Sequence, residues 1–161
     1  MAWQKRVLKD LEDLRKANFI VKADDGSDDI KLNVFQVLLE GPKDTPYANG
    51  SWYIRFTIPE TFPFKSPSVG FIQNIMHPNI DFASGSICLD TLNAKWSPCT
   101  TLRHIIEVLL PYLLTYPNPD DPLNREAATL LKTNEKEYIR QVVHNVKTHS
   151  LPLKSQDTFE V

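Results

Sequence analysis

An α+β fold is predicted by three features of the sequence. An amphipathic helical pattern opens the chain, alternating β-formers joined by short turns follow between residues 19 and 73, and helical apolar spacing returns from residue 101. Strands grouped between helices give the order αββββααα, and 161 residues leave room for one such domain.

The first helix rests on Trp3, Val7, Leu11 and Leu14, spaced four, four and three apart with charged residues between them, and is predicted over residues 2–17. Two strands, Phe19 to Ala23 and Ile30 to Leu39, flank the acidic turn Asp24-Asp25-Gly26-Ser27-Asp28-Asp29 as in a hairpin. Ser51 to Ile58 alternates strictly, with Trp52, Ile54, Phe56 and Ile58 on one face, so a half-buried third strand is expected. Pro59, Pro63 and Pro67 punctuate the turn before a fourth strand over Ser68 to Gln73, completing an antiparallel meander.

From Asn74 to Thr100 neither period holds, and so long an aperiodic stretch in a compact domain is usually functional. Thr101 then caps a helix carrying Leu102, Ile105, Ile106, Leu109, Leu110, Leu113 and Leu114. That helix is apolar nearly all round and therefore central, with a kink predicted at Pro111. Three prolines make Pro117 to Pro122 a rigid extended connector. Two helices close the domain, Asn124 to Lys132 and Asn134 to Thr148, the latter with Tyr138, Val142 and Val146 on one face. A polar tail follows, giving a domain over 1–149 and a tail over 150–161.

Eighteen Lys and Arg against twenty Asp and Glu leave a net charge of −2, which disfavours nucleic-acid binding as the main function. The most apolar run, Ile105 to Tyr116, is too short to span a bilayer, and the first nine residues lack a secretory apolar core. An intracellular chain with reduced thiols at Cys88 and Cys99 is expected. The two cysteines lie too far apart for a zinc ligand pair, and the histidines at 77, 104, 144 and 149 form no ligand pattern. Five scattered glycines form no phosphate cradle, so no bound nucleotide is expected.

What these exclusions leave is a thiol in an ordered loop. Cys88, inside the aperiodic stretch, offers the most nucleophilic side chain available near neutral pH, although a free cysteine is more often a small buried hydrophobe. Cys99 reads as structural or interfacial. His77 could activate a thiol as a base or tie two backbone segments through its ring nitrogens, and the brace is the commoner use. Asn79 could donate to an oxyanion or make local turn bonds. Asp120 and Asp121 could attract a cation or merely solvate the connector.

Four motifs taken together carry more than any residue alone: His77-Pro78-Asn79, Cys88-Leu89-Asp90, Trp96-Ser97-Pro98 and Tyr116-Pro117-Asn118-Pro119-Asp120-Asp121-Pro122-Leu123. With Gly41-Pro42, Thr45-Pro46-Tyr47 and Phe62-Pro63-Phe64-Lys65, the chain resembles a ubiquitin-conjugating enzyme over residues 2–149. The resemblance is closest to the subfamily typified by the human ubiquitin-conjugating enzyme H, through Pro63 to Ser68, His77 to Asp81 and Ala83 to Gly85. Asn79 and Cys88 stand nine positions apart, one more than is usual, and Met76 stands where tyrosine is frequent.

The resemblance implies the ubiquitin-conjugating fold. It also implies that Cys88 takes ubiquitin from an activating enzyme as a thioester and passes it to a substrate lysine or a ligase cysteine. Asn79 then supports the loop and the oxyanion, His77 and Pro78 are structural, and Asp121 with Asp90 positions the lysine. That amine has an ordinary pKa of about 10.4, and a nearby carboxylate alone would raise it, so the lowering must come from desolvation. Lys5, Arg6, Phe64, Pro98 and Cys99 correspond to the surface that meets ligases and the activating enzyme. No cofactor is implied, because ATP is consumed by the activating enzyme. The implied partners are ubiquitin, that enzyme, RING or HECT ligases and substrate proteins, with no nucleic acid or membrane, for a monomer of cytoplasm and nucleus. A carrier of another ubiquitin-like modifier, a non-catalytic ubiquitin-binding variant and an unrelated thiol hydrolase are the alternatives.

Overall fold

The computed structural model describes residues 2–87 and 96–152. Cys88, Asp90 and the tail from residue 153 lie outside the described residues.

Helix α1 (Ala2–Lys16) buries Val7, Leu11 and Leu14, three of the four residues whose spacing predicts it, while Trp3 is partly buried against the same core. It closes with Asn18 at φ 66°: Asn18 N–H reaches the Arg15 carbonyl and Phe19 N–H the Leu14 carbonyl. This is a Schellman ending, in which asparagine can take the left-handed position. The turn delays the first strand, so β1 (Val21–Ala23) is shorter than the expected 19–23. β2 (Val34–Glu40) also starts later than expected, because Lys31 and Val34 close a tight turn on themselves.

β3 (Ser51–Thr57) buries Trp52, Ile54 and Phe56 on one face, as its alternation predicts. With β4 (Ser68–Phe71) the strands form one antiparallel sheet in sequence order, with Val37 opposite Ile54 and Ile54 opposite Phe71. One apolar cluster joins the buried sheet face to Val7 and Leu11 of α1, Ile105 and Leu110 of the next helix, and Tyr138 and Val142 near the C-terminus.

Helix α2 differs from its expectation. It runs in three consecutive pieces, α-helical over Leu102–His104, π-helical over Ile105–Leu109 and α-helical again over Leu110–Thr115. Leu110 N–H bonds to the Ile105 carbonyl five residues back, so Pro111 falls in the first turn of a restarted helix, where its missing N–H matters least. The proline is thus accommodated by a wider turn immediately before it. The helix is also less enclosed than predicted: Leu102, Ile105, Ile106, Leu110, Leu113 and Leu114 are buried, but Val108 and Tyr112 are exposed.

Helices α3 (Arg125–Thr133) and α4 (Glu135–His149) are capped by Asn124 and Asn134, whose side chains accept from Ala127 N–H and Glu137 N–H. Tyr138, Val142 and Val146 are buried together, as their spacing predicts. Beyond α4, Leu151 N–H bonds to the Ser51 carbonyl, so the chain is still tied to β3 after the predicted domain end at 149. Among the described residues no helix is long and apolar enough to cross a membrane.

Candidate active site

Within the aperiodic stretch after β4, residues 80–87 fold as a narrow ribbon. In the ribbon Ile80 pairs with Ile87, and the Asp81 carboxylate accepts from both the Ser84 hydroxyl and the Ser84 N–H, which holds that carboxyl below its ordinary pKa. Gly85 turns the ribbon onto β4 at φ 76°, where its carbonyl accepts Phe71 N–H at 2.8 Å. A Cβ there would lie 2.0 Å from the Phe71 carbonyl oxygen, so only glycine allows this approach. The described ribbon ends at Ile87, the residue before Cys88.

His77, Pro78 and Asn79 are fully or almost fully buried at the ribbon's start. Asn79 N–H donates to His77 Nδ1 at 2.9 Å, so that nitrogen is unprotonated and Nε2–H donates to the Leu113 carbonyl at 2.8 Å. Burial lowers the imidazole pKa to about 4 against the pull of the Leu113 bond. A neutral ring with both nitrogens engaged ties α2 to the ribbon and has no nitrogen open to take a thiol proton. The Pro78 carbonyl accepts from both Leu123 N–H and Asn124 N–H. Asn79 does the same work with its amide: Oδ1 accepts Asn118 N–H at 2.8 Å, and Nδ2 donates to the carbonyls of Asn118 and Asp121 at 2.8 and 3.1 Å.

Pro78 and Asn79 therefore hold the Pro117–Leu123 connector along the start of the ribbon, while His77 holds α2 there. Donation by Asn79 to an oxyanion would require exchanging one of its two carbonyl bonds, whereas loop support is its geometry as it stands. Asp121 is brought here through its backbone, with an exposed side chain, and neighbouring Asp120 pairs with Lys132 at 2.6 Å.

Two buried polar side chains that sequence reasoning missed support the preceding segment. Tyr47 O–H donates to the Met76 carbonyl at 2.6 Å and lies 3.1 Å from the Tyr138 hydroxyl, and burial pushes the Tyr47 phenol well above its ordinary pKa. Asn145 of α4 accepts Met76 N–H through Oδ1 and donates to Asn74 Oδ1. An asparagine beside the Val142 and Val146 stripe was the available signal, since a polar residue on a buried helix face needs a partner.

The residues expected to meet ligases divide. Phe64 is 78% exposed, and Lys5, Pro98 and Cys99 are also exposed. Arg6 instead turns inward: it donates to the carbonyls of Pro98 and Thr100, both at 2.7 Å, pairs with Asp10, and lies over the Phe62 ring. Asp10 in turn accepts Leu102 N–H, and burial raises its pKa despite Arg6. Trp96 Nε1–H donates to the Pro63 carbonyl, so both apolar loops are fastened to one another and to α1. Among the described residues no group of His, Cys, Asp and Glu could hold a metal ion.

The chain is similar to known proteins in sequence and in fold. The family model described as ubiquitin-conjugating enzyme matches residues 6–146. The ubiquitin-conjugating enzyme E2-24 kDa of Saccharomyces cerevisiae is 48% identical over 128 residues, which cover 80% of this chain and 59% of that protein. Ubiquitin-conjugating enzyme E2 5 of Arabidopsis thaliana is 47% identical over 121 residues, covering 75% and 65%. The chain thus spans about three fifths to two thirds of the length of these relatives. Among solved structures, a ubiquitin-conjugating enzyme E2 domain of Toxoplasma gondii superposes with a TM-score of 0.82 at 29% identity, over 92% of this chain and 99% of that one. The motifs, the fold and these matches agree, and the chain belongs to the ubiquitin-conjugating enzyme family.

Proposed function

We propose that this protein is a ubiquitin carrier with Cys88 as its acceptor. The Cys88 thiolate attacks the carbonyl carbon of ubiquitin's C-terminal thioester on the activating enzyme; the new S–C bond forms as the old one breaks, and the activating enzyme's cysteine leaves as thiolate. In the second step a lysine amine attacks the same carbon, the C–N bond replaces the C–S bond, the amine's proton passes to solvent, and Cys88 is released. A ligase cysteine can take the place of the amine.

The observation that carries this reading is the fastening of the Pro117–Leu123 connector to the ribbon start by Pro78 and Asn79, with His77 bracing Asn79 and α2. The Asp121 carbonyl is held by Asn79 while its side chain stays exposed, which supports a role for Asp121, with Asp90, in orienting the lysine. The exposed Phe64, Pro98, Cys99 and Lys5 form the surface for ligases and the activating enzyme, with Phe64 as its anchor. Residues 1–149 act as the catalytic domain, a monomer of cytoplasm and nucleus that uses no cofactor of its own and leaves ATP to the activating enzyme. The free, exposed Cys99 thiol suits such a reducing compartment.

Incubation with activating enzyme, ATP and ubiquitin tests this directly. Wild type and Cys99→Ser gain one ubiquitin that reductant removes, and Cys88→Ser holds it as a reductant-resistant ester. A folded protein that takes no ubiquitin, beside a control enzyme that does, overturns the carrier reading.

A further inference from the structure

The ribbon leading to Cys88 is fastened along its two edges by different means. Its returning edge is sewn to β4 by backbone: Phe71 N–H to the Gly85 carbonyl, Ile87 N–H to the Val69 carbonyl, and the Gly70–Ser86 bridge. The outgoing edge, from Ile80 to Phe82, pairs with the returning one through the Ile80–Ile87 bridge and Asp81 N–H to the Ser86 carbonyl. There the Phe82 carbonyl accepts Asn74 Nδ2–H at 2.9 Å.

Asn74 is itself held from a distance. Its Oδ1 accepts Asn145 Nδ2–H at 2.8 Å, and Asn145, 7% exposed on α4, uses its own Oδ1 to accept Met76 N–H at 3.2 Å. Each amide thus donates and accepts in one direction, α4 to Asn74 to Phe82. A buried asparagine in mid-helix is unfavourable for the helix itself and is retained where its hydrogen bonds are all made.

We propose that Asn145 and Asn74 are positioning residues for ubiquitin transfer, a side-chain relay that fixes the outgoing edge of the ribbon relative to α4. This inference rests on the carrier reading. Neither residue touches the reacting atoms. The relay acts on the amine's approach, because attack by lysine needs the thioester and the cleft wall in a fixed relation, and small displacements are costly in rate. Charging exchanges one thioester for another, needs no oriented amine and proceeds without the relay.

The test is single-turnover discharge of the Cys88 thioester to free lysine over a range of lysine concentrations. Asn74→Ala removes both links. Asn74→Asp keeps an acceptor for Asn145 but has no N–H for the Phe82 carbonyl, and both variants leave the bond from Asn145 to Met76 intact. The expected result is a folded protein that charges normally, its melting temperature lowered in Asn74→Ala by the unpaired Asn145 amide, with a maximal discharge rate lower by about tenfold, the effect of one ordinary hydrogen bond acting only on position. The half-saturating lysine concentration stays unchanged, and adding Asn145→Asp to Asn74→Ala costs nothing further, as for two residues acting as one unit. Variants that charge and discharge like wild type overturn the relay, as does a loss confined to the half-saturating concentration or one that multiplies in the double variant. Wild type that never charges overturns the carrier reading, and the relay with it.

Discussion

Between residues 74 and 79 polar side chains are directed at backbone groups, and from His77 on they are buried, whereas around Phe64 and Cys99 exposed apolar groups surround one inward-turned arginine. In the first region His77 and Asn79 make every bond their rings and amides offer, so their chemistry is the holding of other chain segments. In the second, Arg6 holds the Pro98 and Thr100 carbonyls and Trp96 holds that of Pro63, and the exposed side chains around them keep their surfaces open. A buried polar group gains by being satisfied in place, while an exposed aromatic gains only when a partner covers it. The contrast separates residues whose loss unfolds or loosens the site from residues whose loss is felt only in a complex.

The largest effect expected on this division is a pH dependence. His77 titrates at about 4 in the folded chain and at about 6.5 when unfolded, so between those values the unfolded chain binds the extra proton. Its contribution is complete above pH 6.5, falls as pH drops and is gone below about 4, a change on the order of 3 kcal/mol. Urea unfolding of wild type across that window, compared with His77→Gln, should show a steep wild-type slope and a flatter one in the variant.

Asn79→Ala comes next. It leaves Asn118 N–H and two carbonyls without their partner and is expected to destabilise by about 2–3 kcal/mol, with discharge to lysine slowed at least about tenfold. Arg6→Ala should cost about 1–2 kcal/mol in chemical unfolding through the lost Pro98 and Thr100 bonds, which separates it from its neighbour on the same helix. Phe64→Ala and Lys5→Ala are the smallest in stability, within about 0.5 kcal/mol. In a ligase-dependent discharge assay, however, Phe64→Ala should lose about tenfold or more, and a normal rate there would dissolve the contrast between the two regions.

How far these features could be read in advance depended on whether they were local. The β3 alternation and the α1 stripe are short-range, and the structure shows them where spacing put them. The bridging role of His77 was legible as one of two uses of an imidazole, and the geometry shows both nitrogens engaged. Arg6 matches the docking surface the resemblance implies, and a sequence does not show that the Pro98 and Thr100 carbonyls, more than ninety residues on, also come within its reach. Gly85 is one of five scattered glycines in the sequence, and only the fold sets the Phe71 carbonyl against it. Asn145 and Asn74 stayed hidden for the same reason, since their partners come together only in the folded chain. Cys88 and Asp90 rest on the motif alone, outside the described residues.

The wide turn in α2 bears on which insertions and deletions this chain tolerates. A π turn is what a helix does with one surplus residue, so removing Val108 would restore an ordinary helix with both flanks still in register. Pro111 would then stand in mid-helix, its ring against the carbonyl four residues before it. The surplus residue and the proline are therefore coupled. A one-residue deletion should be poorly tolerated by itself and become acceptable when Pro111→Ala accompanies it, so a length change here is tied to a substitution three positions away.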